Sequence, residues 1–148
     1  MGLDMYLVKR TYLGWNYDHR TEGKNLPDMS AWGIDSKRIS YVEEQIMYWR
    51  KANAIHRWFV TNVQAGKDDC GRHNVSKEQI QTLLDCVEDI IDDPASAELY
   101  LPTAEGFFFG STDYDEWYFS DLKHTKDSFK EILNNWDDTA EYYYHSSW

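Results

Sequence analysis

Two cysteines in 148 residues are too few to staple a fold, and a chain of this size buries an adequate core without disulfides. Cys70 and Cys86 match no zinc or redox spacing, so a reducing, cytoplasmic setting with no metal and no cofactor is expected. Long apolar runs are missing: no stretch approaches the roughly 20 residues of a membrane span. The first residues lack the basic-then-apolar order of a secretion signal. Gly2 is followed by Tyr6 where a myristoylation motif carries Ser or Thr. Basic residues are scarce as well. Lys and Arg total 15 against 26 Asp and Glu, a formal net charge of −11. That balance repels nucleic-acid phosphate and argues against direct nucleic-acid binding. It favours solubility and leaves basic proteins or cations as partners. The chain also lacks a Walker motif, a dinucleotide fingerprint, a Gly-x-Ser-x-Gly elbow and a His-Glu-x-x-His pair.

Aromatic residues are abundant: seven Trp, eleven Tyr and six Phe, 16% of the chain. Each buries a large area, so rings should dominate the interior, several with polar tips that need partners. Leu3, Met5 and Leu7 alternate with Asp4, Tyr6 and Val8, the period of a strand. The stretch from Gly14 to Gly33 is polar and reads as a long surface loop. Asp35 or Ser36 then caps a long helix. Ile39, Val42, Ile46, Trp49, Asn53, His56, Val60 and Val63 recur at steps of three and four, and Gly66 stops it. Ser76 and Gln79 form a capping box for the next helix, with Val75 placed to staple against Ile80. Ile80, Leu83, Leu84, Val87, Ile90 and Ile91 make its apolar face; Asp85, Glu88, Asp89, Asp92 and Asp93 load the far side, and Pro94 ends it. Phe107, Phe108 and Phe109 sit between two glycines in a turn region that has the option of a short buried strand. Asp113 and Glu116 resemble a second capping box, opening a helix to about Trp136 with Tyr118, Leu122, Phe129 and Ile132 on its face. The aromatic tail from Glu141 to His145 can pair with the N-terminal strand. The expected fold is α+β: one domain over 1–148, about three main helices on a small antiparallel sheet that includes both terminal strands.

Asn53 and His56 fall on the stripe that otherwise faces the core. Buried polar groups must be hydrogen-bonded, so the pair belongs either to a core network or to a pocket floor with His56 as acid, base or ligand. Arg50 and Arg57 lie beside that stripe, within reach of a bound anion. Asp68, Asp69, Cys70 and His73 crowd a loop; they read as a solvated turn, with a thiol nucleophile at Cys70 as the sharper alternative. Ser111 and Thr112 lead into a helix N-terminus, but Asp113, Asp115 and Glu116 occupy it and would repel an anion.

Several strings carry a resemblance: Met1-Gly-Leu-Asp-Met-Tyr-Leu7, Tyr48 through His56, Asp68-Asp-Cys70, Leu101-Pro-Thr103, Gly106 through Thr112, Tyr114-Asp-Glu116 and Ser146-Ser-Trp148. Together they resemble a family of small uncharacterised phage and bacterial proteins. The resemblance implies a phage or prophage origin and a host-cytoplasm setting, and it transfers no catalytic residue. Two functions follow as expectations. The first is a non-catalytic accessory protein that binds a basic host protein, such as a nucleic-acid-binding defence factor, through an acidic interface of Asp85, Glu88, Asp89, Asp92 and Asp93. The alternative is a small enzyme or ligand-binding protein with a pocket around Arg50, Asn53, His56, Asp69 and Cys70.

Overall fold

The computed structural model describes residues 2–14 and 27–148. Most of the loop expected from Gly14 to Gly33 therefore lies outside the described residues. The described elements are β1 (Asp4–Tyr12), β2 (Tyr41–Arg50), α1 (Asn53–Asn62), β3 (His73–Asn74), α2 (Lys77–Asp92), the single turn α3 (Ala97–Tyr100), α4 (Glu116–Asn134) and β4 (Glu141–Ser147). The class is α+β, with helices packed on a four-stranded antiparallel sheet in the order β2-β1-β4-β3.

The N- and C-terminal strands pair as their sequences suggest. Leu7 lies opposite Tyr144 and Arg10 opposite Glu141. The alternation in β1 puts Met5 and Leu7 fully into the core, and Tyr142, Tyr144 and Ser146 of β4 are buried in the same alternating way.

The long helix from Asp35 is corrected. Its first half is a strand, and only Asn53–Asn62 is helical. Asp35 does cap, but the helix it opens is one tight turn, Ser36–Arg38. The physical reason lies in β2 itself. Tyr41, Val42, Ile46, Tyr48 and Trp49 are β-branched or aromatic, and such side chains fit a pleated surface better than a helix. Only Met47 and Trp49 of this strand are buried, at the spacing of two that a strand requires. The register against β1 slips between Leu7 and Val8, which pair with Met47 and Gln45. Ile46 is thus the extra residue of a bulge, and it broke the alternation that would have marked the strand. The chain leaves β2 through Lys51, held at φ 57 while its amide donates to the Leu3 carbonyl at 2.7 Å. Gly66 does lie just past the end of α1, at φ 80.

α2 follows its sequence closely. The Ser76 hydroxyl accepts from the Gln79 amide at 3.1 Å, and the Gln79 side chain accepts from the Ser76 amide at 2.9 Å. Ile80, Leu83, Leu84, Val87 and Ile90 are buried; Ile91 sits at the margin. α4 is capped by Asp115 rather than Asp113: one Asp115 carboxylate oxygen accepts from the amides of Trp117 and Tyr118. Tyr118, Leu122, Thr125 and Phe129 form its buried stripe.

Phe107–Phe109 is a turn, not a buried strand. Phe107 is almost wholly exposed. A Cβ on Gly106 would sit 2.6 Å from the Phe109 ring, and Gly110 adopts φ 84. Both positions need the absence of a side chain. The centre of the core is aromatic: Phe59 stacks on Tyr144 at 3.9 Å, and Trp49 meets Phe59, Phe129 and Tyr144 edge-on. The Trp49 indole N–H donates to Thr125 at 2.8 Å, so the ring's polar tip is satisfied.

Candidate functional site

The structure distributes Arg50, Asn53, His56, Asp69 and Cys70 over two places. His56 is sealed in the core, 1% exposed. Its Nδ1 lies 2.7 Å from the Tyr144 hydroxyl and its Nε2 2.9 Å from Asp68. A carboxylate only accepts, so Nε2 carries the proton toward Asp68. Burial, with Asp68 and Cys70 nearby, pushes the Tyr144 hydroxyl well above its ordinary pKa, so it keeps its proton and donates to Nδ1. The other Asp68 oxygen accepts from the Trp148 indole at 3.0 Å. This chain ties α1, the 63–72 loop and the C-terminus together. Asp69 instead accepts from His73 at 2.8 Å and from the Gly71 amide at 2.9 Å; both bonds lower its pKa, the histidine contributing most. Cys70 is an exposed free thiol at φ 55.

Asn53 is also buried and fully engaged. Its amide nitrogen donates to the carbonyls of Phe109 and Ser111 at 3.0 and 2.8 Å, and its oxygen accepts from the Ala104 amide at 3.0 Å. It therefore clamps the 103–111 loop onto the first turn of α1. Arg57 adds a bond to the Thr103 carbonyl at 3.0 Å.

That clamp forms one side of a cleft of about 310 Å³, between the β2–α1 junction, the 103–113 loop and the start of α4. The volume is at the lower end for small-molecule sites. Arg50 and Asn53 line it; His56, Asp69 and Cys70 do not. Arg50 and Lys51 bring positive charge from the junction, while Asp113, Asp115 and Asp121 bring carboxylates from the loop and α4. Ile55, Tyr118 and Leu122 supply apolar surface, and the indole of Trp117 stands 73% exposed at the cleft. The N-cap of α1 is Ala52, which gives no side-chain cap to the amides of that turn.

Asp121 is the group that sets this cleft apart. It projects from the flank of the α4 stripe, one residue before buried Leu122. Its carboxylate has no hydrogen-bond partner among the described residues, and burial pushes its pKa up to about 6, opposed by His124 and aided by the charge of Asp115. Its own carbonyl accepts from Thr125 at 2.7 Å, tying its backbone to the residue that holds Trp49.

No family model, no curated protein and no solved structure matches this chain. Among the described residues, no group of three or more His, Cys, Asp or Glu side chains is placed to hold a metal ion. Nor is any described helix long and apolar enough to cross a membrane.

Sequence reasoning found Arg50 and Asn53 but missed Lys51, Trp117 and Asp121. One signal was available. Asp121 lies three residues after Tyr118 and four before Thr125, so a helical reading already puts its carboxylate on the edge of the core-facing stripe.

Proposed function

We propose that this is a small-ligand-binding protein of the cytoplasm whose site is the cleft between the β2–α1 junction and α4. The observation that carries the reading is the half-buried, unpaired Asp121 carboxylate facing that cleft. Partial burial without a hydrogen bond disfavours the ionised carboxylate, and a ligand that pairs with it is a sufficient reason for its presence. With its pKa near 6, Asp121 also suits proton transfer, so a small enzyme acting through Asp121 belongs to the same reading. The test is a protein-observed NMR screen with a chemically diverse fragment library. Fragments that shift the Trp117 indole and Leu122 methyl signals support the reading. Fragments that perturb only other surfaces, or none at all, reject it.

A second reading rests on α2. Asp85, Asp89, Asp92 and Asp93 are exposed along one side of this helix, whereas Glu88 is bound to Lys130 of α4 at 2.6 Å. Such a face suits a basic host protein, in keeping with a phage-type accessory role, including inhibition of a nucleic-acid-binding defence factor. Binding to such a partner should weaken steeply with salt, because the Debye length is only about 8 Å at physiological ionic strength. It should weaken equally when Asp85, Asp89 and Asp92 become Asn. A pull-down from bacterial lysate that is insensitive to both changes would exclude this surface.

A further inference from the structure

We infer that the cleft binds a small zwitterion, an α-amino acid with an apolar side chain, through its ammonium at Asp121 and its carboxylate at Arg50 and Lys51. This rests on the ligand-binding reading above and specifies its chemistry. Carboxylates enter the cleft from the loop and α4, and cations enter it from the β2–α1 junction. A purely anionic ligand would leave Asp121 unpaired and face Asp113 and Asp115. A purely cationic one would leave Lys51 without a counterpart and meet the repulsion of both Lys51 and Arg50. A molecule carrying both charges satisfies each side, and charge-assisted hydrogen bonds are the strong ones.

The remaining surface sets the rest of the molecule. Ile55, Tyr118 and Leu122 offer apolar contact, and Trp117 offers an exposed ring face. These suit an apolar or aromatic side chain and can add attraction for an ammonium near the indole. A cavity of about 310 Å³ accommodates one amino acid or a dipeptide and little more. Asn53 acts as a positioning residue. All its polar atoms hold the loop, leaving recognition to the charged groups around it.

The experiment titrates three probes against the Trp117 indole signal of the intact protein: L-phenylalanine, L-phenylalanine amide and N-acetyl-L-phenylalanine. The amide keeps only the cation, and the acetyl derivative only the anion. L-Phenylalanine should bind about tenfold more tightly than either, the value of one charge-assisted bond. Asp121→Asn should weaken phenylalanine about tenfold and should not weaken the acetyl derivative. Lys51→Gln should weaken phenylalanine and spare the amide. Unfolding midpoints no lower than that of the unsubstituted protein establish that the losses are local. Equal affinity for all three probes overturns the zwitterion assignment. So does a silent indole with phenylalanine when a neutral fragment moves the same signal, an outcome that leaves the cleft a ligand site. An indole silent to every probe and fragment overturns both readings.

Discussion

A carboxylate half-buried without a hydrogen bond is under stress that can be measured. Asp121 has a folded-state pKa of about 6 against an ordinary 3.8, so its neutral form suits the fold and its ionised form opposes it. At pH 7 it is ionised folded and unfolded, and the full penalty applies; below the ordinary value it is neutral in both, and the penalty vanishes. Asp121→Asn should therefore stabilise the protein at pH 7 by about 1 kcal/mol, a figure reduced for solvent screening. The gain should fade as pH falls from 6 to 4, as read by denaturant unfolding across that window. His56 is the opposite case: a buried polar group with every bond made. His56→Ala should cost roughly 1–3 kcal/mol by orphaning Tyr144 and exposing the core, and Tyr144→Phe about 1 kcal/mol. Lys77→Ala, on the solvent side of α2, is the control for both. Asn53 and His56 were picked out on a stripe that the fold does not have, since Ile46 and Trp49 lie in β2; they are buried because they share the core face of α1 with Ile55 and Phe59. Their partners were not legible, because Asp68, Tyr144 and the Phe109 carbonyl come from segments that sequence spacing does not relate.

The elements differ in how openly the sequence declares them. α2 was legible from end to end, since its cap, its apolar face and its terminating proline agree. Ser76→Ala removes a cap that satisfies a backbone amide and should lower stability by about 1 kcal/mol, with Ser76→Gly costing less. β2 was misread because steps of three and four through Ile39, Val42, Ile46 and Trp49 imitate a helix when a bulge at Ile46 interrupts the alternation. The misreading did little harm to Asn53 and His56, because the part of the helix that carries them exists. It did hide the cleft. A continuous helix has no junction at Lys51, and that junction supplies the cationic side. The cap of α4 was misplaced by two residues for a simpler reason: Asp113 and Asp115 both precede Glu116, and only the folded chain shows which carboxylate reaches the amides.

Across the whole molecule, β4 lies between β1 and β3 and carries Tyr144 into the aromatic centre. Both termini of the described chain are thus built into the sheet. Pairing of the two terminal strands was legible because period-two alternation and an aromatic tail are local signals. The charge balance and the acidic far side of α2 were legible too, but not the mixed cleft, which depends on packing. Deleting residues 141–148 removes an inner strand and should abolish cooperative unfolding by circular dichroism. The central claim, that Asp121 is an unpaired carboxylate facing a ligand cleft, is tested most directly by titrating its side-chain carboxyl carbon by NMR, with and without L-phenylalanine. A midpoint near 6 that falls when phenylalanine is added is the expected result. A midpoint at the ordinary aspartate value, unmoved by phenylalanine, would contradict the account.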